Sequence, residues 1–114
     1  MPGGLQLEAV PGGRDGQRVL RMAGSLALDT VPEFLKVIRA ESAPVMILDF
    51  SSVSYIDSAG VGSLVQTFAA FKKSSRRLAL CGVNERVRAV LEITRVQSLF
   101  PSFPTVAEAE QYLA

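Results

Sequence analysis

Apolar and polar residues alternate in LQLEAV (residues 5–10) and again in QRVLRMA (17–23), and the stretch between them, PGGRDG, is built from turn formers. Alternation with period two predicts strands half-covered by a core, and the short connection pairs them as an antiparallel hairpin. The period changes after Gly24. Val31, Phe34, Leu35 and Ile38 recur at helical spacing, with Thr30 and Glu33 placed as a capping box around Pro32, so a helix is expected from about Thr30 to Ala40. VMILDF (45–50) is a continuous apolar run after Pro44, the pattern of a central strand covered on both faces. SSVSYID follows as a loop, and then Val61, Leu64, Val65, Phe68 and Phe71 form a second helical stripe opening near Ser58. RLALCG (77–82) returns to strand character. Val87, Val90, Leu91 and Thr94 mark a third helix behind the N-cap Asn84, and a short last helix starts at Thr105, paired with Glu108 in a second capping box.

Strands joined through helices pair in parallel by right-handed crossovers, so the order predicts an α/β domain: a hairpin continued by parallel strands, four or five in all, with 45–50 central. In such sheets, sites form at the carboxyl ends of strands, where loops lead into helices. YIDSAGVGSLV (55–65) falls there, with an acid, a serine and two glycines ahead of an apolar run. The 114 residues make one domain, 1–114, long enough for a single core.

Composition removes several functions. Twelve basic and eleven acidic side chains leave a net charge of +1, which gives no field for direct nucleic-acid binding or for an anionic membrane. The start, MPGG, lacks the basic and apolar regions of a signal peptide, and no apolar run approaches the ~18 residues of a membrane span, so a cytoplasmic location is expected. The one cysteine, Cys81, lies in an apolar run and reads as a buried, inert thiol. KKSSRR (72–77) reads as a solvated helix end, with a basic docking patch as the alternative. Arg86, Arg88 and Arg95 stand near the third helix, where an acidic partner surface could meet them, and Phe100, Pro101, Phe103 and Pro104 read as a packed connection.

Ser58 has three possible roles. As a nucleophile it lacks the glycine two residues before it that an α/β-hydrolase elbow requires, Ile56 standing there, and the chain contains no histidine to act as base. The GVG segment is not a phosphate-cradling loop, and no metal-ligand spacing is present; no catalytic residue, metal or cofactor is expected. As a helix start, Asp57 or Ser58 caps backbone N–H groups, which leaves Gly60 and Gly62 unexplained, since each weakens a helix by up to about 1 kcal/mol relative to alanine. As a modified residue, a phosphoserine here gains from the helix dipole and free N–H groups, and the small residues beside it admit another protein's active site.

The run ILDFSSVSYIDSAGVGSLV resembles the signature of the STAS domain, especially of bacterial anti-sigma factor antagonists: an apolar strand, Asp, a loop, then D-S-[SA]-G before an apolar residue. The likeness extends from the hairpin through AGSLALDTVPEFL to CGVNERVRAVLEITRVQSLF. It implies a mixed sheet with about four helices packed mainly on one face, and no catalysis. It implies that Ser58 is phosphorylated by an anti-sigma factor that is itself a serine kinase. The unphosphorylated form binds that partner and frees a sigma factor, and a metal-dependent serine phosphatase restores it. Asp57, Ser58, Ala59, Gly60, Gly62 and Ser25 are then the partner-binding residues. Ser25 and Ala27 stand where the family often carries acids or threonine, and Arg95 where it usually has glycine after the third helix. An alternative within the resemblance is a STAS subunit of a larger assembly, a stress-signalling complex or a lipid-transport complex at the inner membrane. Self-association is compatible with either.

Overall fold

The computed structural model describes residues 4–114; the reading of the MPGG start falls mostly on residues 1–3, outside the described residues. The alternating segments form β1 (Leu5–Pro11) and β2 (Gln17–Leu26), an antiparallel hairpin in register from Leu5 opposite Gly24 to Pro11 opposite Arg18. β3 (Val45–Ile56) pairs in parallel with β2, β4 (Arg77–Cys81) with β3, and β5 (Ser102–Phe103) with β4, which gives the order β1-β2-β3-β4-β5. The apolar run 45–50 is central, with Met46, Ile47, Leu48 and Phe50 sealed from solvent.

Helices α1 (Val31–Ala40), α2 (Ser58–Lys73) and α3 (Glu85–Ile93) share one face of this sheet. Their Phe34, Ile38, Leu64, Phe71, Val87 and Leu91 pack against Leu20, Met22, Met46, Leu48, Leu78 and Leu80 of the strands. The neighbouring strand residues Val19, Ile47, Ala79 and Cys81 point the other way, where α4 (Val106–Tyr112) and the Leu113 that follows it cover them with Ala109 and Leu113. Strand alternation thus divides the core in two, a large cluster under three helices and a small one under α4.

Three local readings need correction. SSVSYI is not a loop but the second half of β3. The register advances by an extra β3 residue twice, between Asp49 and Ser52 opposite Arg21 and Ala23, and between Val53 and Tyr55 opposite Gly24 and Ser25. Each bulge shifts the pleat, so inward positions fall at Phe50, Val53 and Ile56, every third residue, and the period-two signal is lost. Likewise β2 does not stop near Gly24, which takes φ +110 inside the strand at the second irregularity. The Thr30–Glu33 capping box does not form either. Thr30 occupies the N-cap, yet its hydroxyl accepts from the Ala27 N–H (2.9 Å) and donates to the Ser25 carbonyl (2.8 Å). Pro32 has no N–H to offer in that first turn, and the preceding loop claims the hydroxyl instead. The caps Asn84 and Thr105 do accept, from Val87 N–H (2.9 Å) and Glu108 N–H (3.2 Å).

Both α2 and α3 end in the same way. Past α3, Arg95 adopts φ +60, with Val96 N–H bonded to Leu91 O and Arg95 N–H to Glu92 O. Past α2, Ser75 adopts φ +58, with Arg76 N–H on Phe71 O and Ser75 N–H on Lys72 O. These are Schellman closures with non-glycine residues in the left-handed position. In the KKSSRR segment Arg76 is committed to the fold, stacking 3.9 Å above the Phe71 ring and donating to the carbonyls of Ala43 and Glu41, while the other five side chains stay exposed at a solvated helix end. Phe100 is buried edge-on against Phe68, and Phe103 lies 4.9 Å from Tyr112, while Ser102 and Phe103 supply β5, a strand too short for any periodicity to announce.

Candidate functional site

The carboxyl end of β3 leads through Asp57 into α2, and Asp57 organises this junction. Its backbone is extended, and its N–H bonds to Leu26 O at the end of β2. One carboxylate oxygen, Oδ1, accepts from Gly60 N–H (2.9 Å) and so caps α2; the other, Oδ2, accepts from Leu28 N–H (3.1 Å) in the β2–α1 loop. A single short acidic side chain therefore ties the helix start to the neighbouring loop. Asparagine at this position could accept through one atom only.

Ser58 is exposed at the first position of α2, and Ala59 is half-buried behind it. The two glycines separate into different roles. Gly60 is buried, and a Cβ added there would collide with the Leu26 carbonyl and stand 2.8 Å from Ile56 Cγ1. Gly60 therefore lets the helix backbone sit directly on the sheet. Gly62 is exposed with nothing within 4 Å of an added Cβ, so it leaves bare backbone one turn beyond Ser58. Farther along the buried side, Ser63 and Thr67 hydroxyls are spent on the carbonyls of Gly60 and Ser63, both at 2.7 Å. The first turn of α2 contains no acidic residue after its cap, and Lys72 and Lys73 close the far end. Its positive N-terminus is thus not neutralised by a following carboxylate.

Of the residues expected to meet a partner, Ser58, Gly62 and in part Ala59 reach the surface. Gly60 does not, and neither does Ser25, which is 2% exposed and whose N–H and C=O are occupied by Gly4 O and the Thr30 hydroxyl. Ser25 is corrected from a contact residue to a buried support of the loop, because β2 runs on past Gly24 and carries Ser25 inward. The loop instead exposes Leu28, at 75%, together with Asp29. Reading along the sequence missed Leu28, since it continues the alternation of Leu26 and reads as one more inward residue; only the end of β2 at Leu26 turns it out.

The geometry also bears on chemistry at Ser58. Lys72 and Lys73 lie at the opposite end of α2, 14 and 15 residues on, which at 1.5 Å per residue is more than about 20 Å from the hydroxyl. No lysine of α2 is in reach as a base. Among the described residues there is no cluster of three His, Cys, Asp or Glu side chains able to hold a metal, and no helix long and apolar enough to cross a membrane. A concavity of about 680 Å³ lies away from Ser58. It lies on the uncovered part of the sheet between Gln6, Glu8, Arg21, Asp49 and Ser51, a polar trough crossed by the exposed Glu8–Arg21 pair at 3.5 Å. Cys81 is 1% exposed, and burial, helped by Asp49 beside it, pushes its thiol up to about 12. It is not a nucleophile.

Comparison with known proteins locates this geometry. The family model of the STAS domain matches residues 9–109. The chain is 32% identical over 83 residues to the anti-sigma-B factor antagonist of Staphylococcus epidermidis, covering 70% of this chain and 77% of that one. Its fold is similar to the crystal structure of an anti-sigma factor antagonist from Mycobacterium paratuberculosis, with TM-score 0.80, 23% identity and coverage of 94% and 93% of the two chains. It is also similar to the Bacillus cell fate determinant SpoIIAA in its phosphorylated form, with TM-score 0.67, 21% identity and coverage of 96% and 99%.

Proposed function

The chain belongs to the STAS domain family, and we propose that it is an anti-sigma factor antagonist whose binding is switched at Ser58. In this reading the unphosphorylated protein sequesters an anti-sigma factor that is also a serine kinase and so frees a sigma factor. The kinase phosphorylates Ser58, and a metal-dependent serine phosphatase returns the protein to its binding form. The protein itself is a non-catalytic module acting in the cytoplasm. Asp57, Gly60 and Ser25 hold the surface, while Ser58, Ala59 and Gly62 form it.

The observation that carries this reading is an exposed hydroxyl at the head of α2, beside bare backbone at Gly62 and with no acid in the first turn behind it. A kinase needs that hydroxyl accessible, and beyond the Asp57 cap the first turn holds no further carboxylate to oppose the phosphate it leaves. Magnitudes allow a switch without any change of fold. A phosphoserine adds about two negative charges. At ~6 Å from one carboxylate of a partner they cost about 1.4 kcal/mol in water-like surroundings and roughly 5 kcal/mol at an effective dielectric of 20. That spans from about tenfold to several-thousandfold in affinity.

The test is to incubate the protein with the anti-sigma factor kinases of its own genome, ATP and magnesium, to locate phosphate by mass spectrometry, and to measure affinity by titration calorimetry. Ser58→Ala is expected to bind and to resist phosphorylation, and Ser58→Asp to bind at least tenfold more weakly, both variants melting as wild type does. Phosphate on another residue, or an Asp variant that binds like wild type, would return Ser58 to a helix start and nothing more.

A further inference from the structure

We infer that Leu28 is the apolar anchor by which this chain selects its anti-sigma factor, an inference that rests on the reading of the Ser58 surface above. The occupant is an anti-sigma factor that offers an apolar pocket beside the groups receiving Ser58. Leu28 is 75% exposed, and nothing in the fold needs its side chain. Its backbone, in contrast, is held firmly. The Leu28 N–H is bonded to Asp57 Oδ2, the same carboxylate that caps the serine-bearing helix through Gly60. On the loop's other side the buried Thr30 hydroxyl bridges Ala27 N–H and Ser25 O, and the N–H groups of Thr30 and Val31 both close on Ala27 O. A solvent-facing leucine on a floppy loop would lose freedom on binding; one on a braced turn is already ordered and loses little.

The neighbours define what it contacts. Ser25 and Ala27, buried on either side of Leu26, give this turn no charge, and the exposed side chains it presents are Leu28 and then Asp29. An apolar side chain can fill a partner's pocket while the polar residue beside it stays at the wet edge. Because the Asp57 side chain holds Leu28 N–H and Ser58 is the next residue along the chain, the apolar contact and the serine hydroxyl belong to one surface. Ile93 is equally bare, at 80% exposed, but it lies at the last position of α3, at the opposite end of that helix from the Asn84 bond to Val53. It serves as the internal control.

The experiment uses the full chain with each anti-sigma factor kinase of its genome, and compares wild type, Leu28→Ala, Leu28→Met, Leu28→Asp and Ile93→Ala by calorimetry, by the kinetics of Ser58 phosphorylation and by sedimentation of the chain alone. Leu28→Ala is expected to weaken binding about tenfold or more, Leu28→Met to stay within about threefold because it refills the same pocket, and Leu28→Asp to abolish binding. KM for phosphorylation rises with kcat unchanged, the sign of binding lost equally in ground and transition states. Ile93→Ala binds like wild type, and no melting temperature moves, since these side chains are exposed. Leu28→Ala binding within twofold of wild type, or Ile93→Ala losing as much as Leu28→Ala, would overturn the inference and leave the Ser58 reading standing. So would a homodimer that Leu28→Asp dissociates while partner affinity is kept, for the occupant would then be a second copy. Wild type binding no anti-sigma factor would overturn both.

Discussion

Two helices of this protein begin on nearly the same device, and only one of those beginnings carries the proposed binding surface. At the head of α2, Asp57 caps Gly60 N–H with one oxygen and reaches Leu28 N–H with the other. At the head of α3, Asn84 caps Val87 N–H with its oxygen and donates its amide to Val53 O (2.8 Å). Each is an Asx cap whose second atom staples the helix to another segment. Beyond the cap the two helices differ. α3 continues with Glu85, an acid that already answers the helix dipole, whereas α2 continues with Ser58, Ala59, Gly60, Val61 and Gly62, without an acid. The cap is architecture in both. The proposed binding surface draws on what α2 leaves unfilled: a free hydroxyl, a first turn with no acid beyond the Asp57 cap and one bare glycine.

The largest effect is expected where α2 touches the sheet. Gly60→Ala forces a methyl into the Leu26 carbonyl, and the loss of stability is expected to be about 3 kcal/mol, read as a melting temperature lower by on the order of 10 °C. A loss below about 0.5 kcal/mol would mean the helix start is not seated as described, and the two helix heads would no longer be comparable. Next come the caps. Asn84→Ala and Asp57→Ala are each expected to cost about 1–2 kcal/mol in urea unfolding, but only Asp57→Ala also weakens the anti-sigma factor complex, because it alone frees the Leu28 loop. Equal effects on binding would erase the distinction between the two caps. The helix exits offer a smaller change in the opposite direction. Arg95→Gly removes left-handed strain and is expected to stabilise the protein by about 1 kcal/mol in the same assay, leaving partner affinity as it is. Smallest is Gly62→Ala, where open space and better helix propensity predict a gain of about 0.5 kcal/mol. Its informative readout is affinity, expected to fall as the bare backbone is covered.

The fold was legible wherever one physical rule governed a segment. The hairpin, the buried run 45–50 and the stripes of α1, α2 and α3 follow from hydrophobic period, and the Asn84 and Thr105 caps from side-chain chemistry. It was illegible where two rules competed. In SSVSYI, bulges replaced period two by period three, and serines facing solvent looked like a loop. At Thr30 a helix cap and a loop bond wanted the same hydroxyl, and it went to the loop, between Ala27 N–H and Ser25 O. β5 is two residues between prolines and exists only because β4 offers it an edge. At the head of α2, a cap at Asp57 or Ser58 was readable from local chemistry, and it is Asp57 that accepts. The burial of Ser25 and Gly60 and the exposure of Leu28 depend on where β2 stops, a matter of pairing with β3 that no local pattern encodes.

The thiol of Cys81 makes the molecule its own timekeeper. Sealed beneath α4 beside Asp49 and pushed up to about 12, it is almost wholly protonated at neutral pH, and only a thiolate reacts with alkylating reagents. Labelling therefore proceeds only from molecules that have momentarily opened, and with a single cysteine in the chain each label records one opening. If α4 lifts by itself, the labelling rate will hardly respond to low urea; if the cover leaves only when the whole sheet comes apart, the rate will climb with urea as steeply as global unfolding does.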